Sequence, residues 1–209
     1  MRKLFSAIIC FFVLTGISVA EEAAELSASK AKLVEIRGML DEVAVLKEKN
    51  DSVWQPKVYK AFNELKKVYT AEIDNAEMYL LFARSYHYND RRNKALTTLK
   101  KVFYFDPTNV EGLMLKGDIF FDDLKKMDSF ADRSLSIEKQ NGLEQYEAAL
   151  KAPGISKETE AMIYLRIGDL YELTSEKGKA QEAWSKAVSA APGSASALKS
   201  EEKLNKLKK

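Results

Sequence analysis

Cysteine is almost missing from this sequence. The one present, Cys10, stands inside the apolar stretch at the N-terminus. Without that stretch the chain forms no disulfide and offers no thiolate as ligand or nucleophile. Its folded state must then rest on burial, and the roughly 190 residues that remain can build one continuous core. Histidine is equally scarce. His87 stands alone, without the partners from which acid–base sites are assembled, and is read as a polar surface or groove residue. No HExxH, CxxC or haem-attachment spacing occurs, so no metal or haem is expected. There is no GxxxxGK and no strand-type alternation for a phosphate loop to follow. The acidic pairs Glu21-Glu22 and Asp122-Asp123 read as solvated faces. Charge of one sign is lacking too. Lys and Arg number 33 and Asp and Glu 31, and setting aside Arg2 and Lys3 brings the rest to balance. That excludes the strongly basic face of a nucleic-acid binder. No catalytic residue, cofactor or metal ligand is expected from these counts.

The one long hydrophobic run lies at the start. Arg2 and Lys3 precede Leu4–Val19, an apolar stretch broken only by Ser6, Thr15, Gly16 and Ser18. Ser18-Val19-Ala20 puts small residues where a signal peptidase reads, and Glu21-Glu22 opens a polar segment. Residues 1–20 are therefore expected to be a secretory signal peptide cleaved after Ala20. Its brevity resembles bacterial signals, which places the mature chain in a periplasm. The competing reading is an uncleaved anchor in the inner membrane, for which the run is short against the ~20 residues of a full span.

What the chain does have is internal repetition. In Ala161–Pro192, Tyr164, Ile167, Gly168 and Tyr171 share one helical face. Ala180, Trp184 and Ala187 share a face on a second helix, and Pro192 ends it. Gly168 leaves room for the second helix to approach, and Ser175–Gly178 reads as the turn. Ala76–Pro107 repeats the pattern with Tyr79, Phe82, Ala83, Tyr86, Ala95, Leu99, Val102 and Pro107. Leu113, Gly117 and Phe120 follow one period of about 34 residues later. The second half of that unit is displaced to Gly142, Tyr146 and Ala149, with Pro153 near the stop, so an insertion lies within Asp122–Asn141.

These positions resemble the tetratricopeptide repeat. The resemblance implies an all-α fold, a right-handed solenoid of helix–turn–helix hairpins with capping helices. It gives a repeat over 76–109, one with an insertion over 110–156 and one over 157–193. Residues 21–75 read as an N-terminal hairpin, a degenerate repeat or a cap. There Glu21–Ser29 is expected as a frayed start or linker. Leu33, Ile36, Leu40, Val43 and Leu46 make one stripe, and Val58, Ala61, Phe62, Leu65 and Val68 a second, with Pro56 in a first turn. Residues 194–209 read as a capping helix with Leu198, Leu204 and Leu207 inward. The insertion, with Leu124, Met127 and Phe130, is either lengthened helix plus a longer turn or a protruding loop that touches a partner.

Repeats of this kind generally bind proteins or peptides in the groove lined by their first helices. Carried over residue by residue, the groove positions are Leu80, Arg84 and His87, then Met114, Asp118 and Phe121, then Leu165, Asp169 and Glu172. Leu80 and Leu165 can equally seal the stack. The family's clamp for acidic C-terminal tails uses lysines and asparagines. The aspartates and the glutamate here fit a partly apolar, positively charged segment better. The expected function is a non-catalytic scaffold binding another protein or peptide in the bacterial envelope. The alternative is a self-assembling or small-ligand-binding helical module.

Overall fold

A computed structural model describes residues 19–49, 51–71, 74–127 and 132–207. The expected signal segment lies outside the described residues as far as residue 18, and Phe130 of the insertion lies outside them too. The described residues form nine helices and no strand: α1 Val19–Glu48, α2 Trp54–Val68, α3 Ala76–Tyr88, α4 Arg92–Phe105, α5 Val110–Lys126, α6 Asp132–Leu150, α7 Lys157–Leu173, α8 Lys177–Ala190 and α9 Ala195–Leu207. No helix among the described residues is long and apolar enough to cross a membrane. The chain divides into two compact units, Met1–Ala95 and Leu96–Lys209.

In the first unit α1 and α2 form a hairpin and α3 packs on both. Leu33, Ile36, Leu40 and Val43 of α1 and Val58, Ala61 and Leu65 of α2 are buried, as their three-and-four spacing predicts. Leu46, Phe62 and Val68 are half-buried at the margins of those stripes. The seam with α3 is aromatic. Phe62 meets Phe82 edge-on at 5.6 Å between centroids and Tyr86 at 5.2 Å, and Tyr69 stands edge-on to Tyr79 and Phe82. Pro56 falls in the first turn of α2, and the side chain of Asn75 caps α3 by accepting from the Glu77 amide.

One expectation fails here. Glu21–Ser29 is not a linker, because α1 runs unbroken from Val19. Six of its nine residues are alanine or glutamate, which cost little in a helix. Ser29, buried, satisfies its hydroxyl by donating to the Leu26 carbonyl.

In the second unit α5 packs on α6, α6 on α7, α7 on α8, and α9 on both α7 and α8. Asn109 caps α5 through the Gly112 amide, and Ser156 caps α7 through the Thr159 amide. Helices α4, α6 and α8 end at Phe105, Leu150 and Ala190, each two or three residues ahead of Pro107, Pro153 and Pro192. The described residues of the insertion are mostly helix: α5 continues to Lys126 and α6 begins at Asp132, ten residues before Gly142. Leu124 is buried and Met127 packs against the same core, so the added turns extend the hydrophobic seam. Lys139 of α6 donates to Glu176 and stands 5.8 Å from the centre of the Tyr171 ring, tying the lengthened helix to the α7–α8 turn.

The turn itself differs from the sequence reading. Gly178 lies in the first turn of α8, with nothing within 4 Å of where a Cβ would stand. The chain reverses at Thr174-Ser175-Glu176, with Ser175 at φ 62°. The α3–α4 turn is built the same way around Asp90 at φ 54°. In both, the left-handed residue donates to a carbonyl three residues back and its successor to one five back (Asp90 to His87, Arg91 to Tyr86; Ser175 to Glu172, Glu176 to Tyr171). Asp and Ser tolerate this conformation through local polar contacts, so no glycine marked it.

Candidate functional site

The second unit carries the same small device in two places. A Cβ on Gly117 would lie 2.5 Å from the Tyr146 ring, and one on Gly168 would lie 2.3 Å from the Trp184 ring. Each glycine thus admits a large aromatic from the second helix of its own hairpin, and each aromatic is fully buried. A buried phenol or indole needs a hydrogen-bond acceptor at its polar tip. The residue after each glycine supplies it: the Tyr146 hydroxyl donates to Asp118 at 2.7 Å, and the Trp184 Nε1–H donates to Asp169 at 3.2 Å. Burial, then the neighbouring Asp118 charge, hold the Tyr146 hydroxyl well above the usual phenol range, so it remains a donor.

Each aspartate also holds a cation from the helix two further on. Arg166 of α7 lies 3.3 Å from Asp118, and Lys203 of α9 lies 3.1 Å from Asp169. Lys203 also donates to Glu172 at 2.6 Å and sits 5.0 Å over the Trp184 ring. Burial works against the charge on Lys203, but Glu172 and Asp169 outweigh it and raise its pKa above the ordinary lysine value. The first unit shows a related link: Arg84 and Glu77 of α3 pair with Asp41 and Arg37 of α1 at 2.6 and 2.9 Å.

These contacts place the nine expected groove residues. Leu80, Met114, Phe121 and Leu165 are buried, the last three within the hydrophobic clusters of the second unit, and seal the packing. Lys125 covers the Phe121 ring at 4.2 Å. Arg84 is paired with Asp41, and His87 is half-buried with its ring 5.8 Å from that of Tyr88. Asp118, Asp169 and Glu172 come together in the second unit as one row of charges, Asp118–Arg166 and Asp169–Lys203–Glu172. The positive charge that the aspartates appeared to require of a partner is supplied by the chain itself. Glu172 remains the most open of the three acids, its side chain 48 % exposed.

Arg166 and Lys203 were missed from sequence. A signal for Lys203 existed: it lies 34 residues after Asp169, as Asp118 does after Arg84, so the register extended once more would have reached it. Among the described residues no group of three or more His, Cys, Asp or Glu is arranged to hold a metal ion.

Fold and site together define an all-α helical-repeat protein of the solenoid class. Residues 76–109 match the family model described as Tetratricopeptide repeat, so this stretch carries one such repeat. Solved structures of MamA share the fold. One MamA crystal structure is 25% identical with a TM-score of 0.52, over 79% of this chain and 84% of that one. MamA from Desulfovibrio magneticus RS-1 is 18% identical with a TM-score of 0.53, over 84% of this chain and 83% of that one. No curated protein matches the chain at a significant level. The tetratricopeptide repeat suggests a protein-interaction scaffold, a fold that is generally non-catalytic.

Proposed function

We propose that the chain is a non-catalytic scaffold of the bacterial cell envelope, exported by the segment 1–20 and cleaved after Ala20. It binds a protein or peptide across the charged row of α5, α7 and α9. The observation that carries the reading is the row itself. In the second unit successive first helices offer side chains that are already paired with one another, and a partner's polar groups can exchange with them at little desolvation cost. Glu172, at the open end of the row, is the position a partner reaches first. Export rests on the composition of the N-terminal run and on Ser18-Val19-Ala20.

The test is photo-crosslinking in living cells with a reactive side chain at position 172, against a control at Glu182, which is exposed on α8 and pairs with Lys186. The expected result is one envelope protein captured from position 172 and not from 182, by a chain whose mass begins at Glu21. Capture of the same protein from both positions, or a chain that retains Met1 in the cytoplasm, would sink the respective half of the proposal.

A further inference from the structure

Several lysines among the described residues are neutralised by an acid three or four positions away along the chain. Lys32–Glu35, Lys67–Glu64, Lys125–Asp122, Lys157–Glu160, Lys179–Glu176, Lys186–Glu182 and Lys206–Glu202 all pair at a spacing of three or four. Helix α4 offers its lysines no such acid. From Arg91 to Phe105 the sequence holds Arg91, Arg92, Lys94, Lys100 and Lys101 and no carboxylate, in a chain whose charges otherwise balance. The positions three and four residues from Lys100 are Thr97, Leu96, Phe103 and Tyr104. Those from Lys101 are Thr97, Thr98, Tyr104 and Phe105. Neither lysine therefore has an acid to pair with on its helix, both are exposed, and neither enters an ion pair among the described residues. The next acid along the chain, Asp106, is turned away onto the Thr108 amide and the Asn109 side chain.

Between the two lysines stands Tyr104, 78 % exposed, its ring edge-on to Phe105 at 5.0 Å. At 100° per residue, Lys100, Tyr104 and Lys101 occupy one arc opposite the buried Leu99 and Val102. An outward aromatic flanked by two uncompensated cations is the makeup of a binding hot spot for an anionic surface. A helix that lies in a bilayer must offer its broad apolar face to the lipid. Here that face is buried, and a single tyrosine is left outside.

We propose that Lys100, Lys101 and Tyr104 form a docking surface for an acidic segment of a partner protein, separate from the charged row of α5, α7 and α9. A segment with two or more carboxylates spaced to flank an aromatic or aliphatic side chain matches it.

The whole chain, expressed from Met1 and purified as the cell processes it, would be titrated into a fluorescein-labelled glutamate-rich decapeptide at low and physiological salt. Lys100→Glu/Lys101→Glu is expected to weaken binding at least tenfold at low salt, and Tyr104→Ser three- to tenfold. Lys186→Glu, on a different helix, should leave it unchanged. Binding by the parent should fall steeply with salt. All four substitutions are on exposed side chains, and circular dichroism would verify that each variant keeps its helices. Equal binding by parent and α4 variants would overturn the proposal. So would retention on vesicles containing phosphatidylglycerol without measurable peptide binding, which would assign the face to lipid.

Discussion

The repeat sequence of residues 76–107 and the last hairpin fill the same register positions with different residues. In α3 the small position is Ala83, followed by Arg84, and the corresponding position in α4 is Leu99. In α7 it is Gly168, followed by Asp169, with Trp184 in α8. α5–α6 repeats the second solution with Gly117, Asp118 and Tyr146. The three residues change together. A bulky ring in the second helix requires a glycine opposite it, and the ring's polar tip requires an acceptor, which the next residue provides. In the register of residues 76–107 an alanine and a leucine take those two places and a cation follows the alanine. Apolar packing and surface charge are thus set by one choice of side chain in each hairpin. Ser85 marks a further contrast. It is buried with no partner for its hydroxyl among the described residues, at the position held by Ile119 and Leu170 in the other hairpins.

The sharpest break in that comparison is Gly168→Ala. Its Cβ collides with Trp184, and overpacking of this kind costs about 3 kcal/mol. Adding Trp184→Leu, which rebuilds the Ala83/Leu99 combination, should recover at least ~1 kcal/mol relative to the sum of the single changes in urea denaturation. Strict additivity would show that ring and glycine are not coupled.

Next in size is Tyr146→Phe. It removes a hydrogen bond to a charged acceptor and leaves the ring in place, for an expected loss of about 2 kcal/mol. Trp184→Phe removes the matching bond to Asp169 and also leaves a cavity where the larger indole stood, so it should cost at least as much.

A smaller effect is expected from acid. Lys139 and Lys179, with Thr174, hold the Glu176 carboxyl down at about 2, against a desolvation cost that works the other way. A lowered folded-state value means stability that is complete above the unfolded value of 4.5 and is lost as pH falls from there toward 2. Screening at this partly exposed site limits the loss to about 1 kcal/mol. Glu176→Gln should flatten the acid limb of a stability–pH profile. An unchanged profile would remove the Lys139 tie from the account of the lengthened helix.

The smallest change is a gain. Gly178→Ala fills open space in the first turn of α8 and should add about 0.5–1 kcal/mol. A loss would mean that Gly178 is needed for the reversal after all.

The hairpins were legible because their evidence is local. The stripes, Gly168 with Trp184, the prolines after α4, α6 and α8, and Pro56 in α2 all lie within a few helical turns of what they determine. Three features were not legible, each for its own reason. The start of α1 was hidden because an alanine- and glutamate-rich stretch looks like a polar linker until propensity is weighed. The α7–α8 reversal was assigned to the nearest glycine, whereas a serine takes the left-handed conformation. The charge row escaped because Arg166 stands 48 residues beyond Asp118 and Lys203 stands 34 beyond Asp169. Met114 and Phe121 lie buried for the same reason, as Leu80 and Leu165 were already allowed to: a helix's outer boundary depends on neighbours that its own sequence does not name.

The two tryptophans fall one to each unit. Trp54 opens α2, half-buried beneath the Lys47 ammonium, and Trp184 is sealed in the last hairpin against Asp169. Their emission therefore belongs to different neighbourhoods. With Trp54→Phe, the remaining fluorescence becomes a private gauge of the C-terminal unit, and with Trp184→Phe of the N-terminal one. Whether the chain melts as one cooperative body or as two can then be read from the protein's own light, without an attached dye.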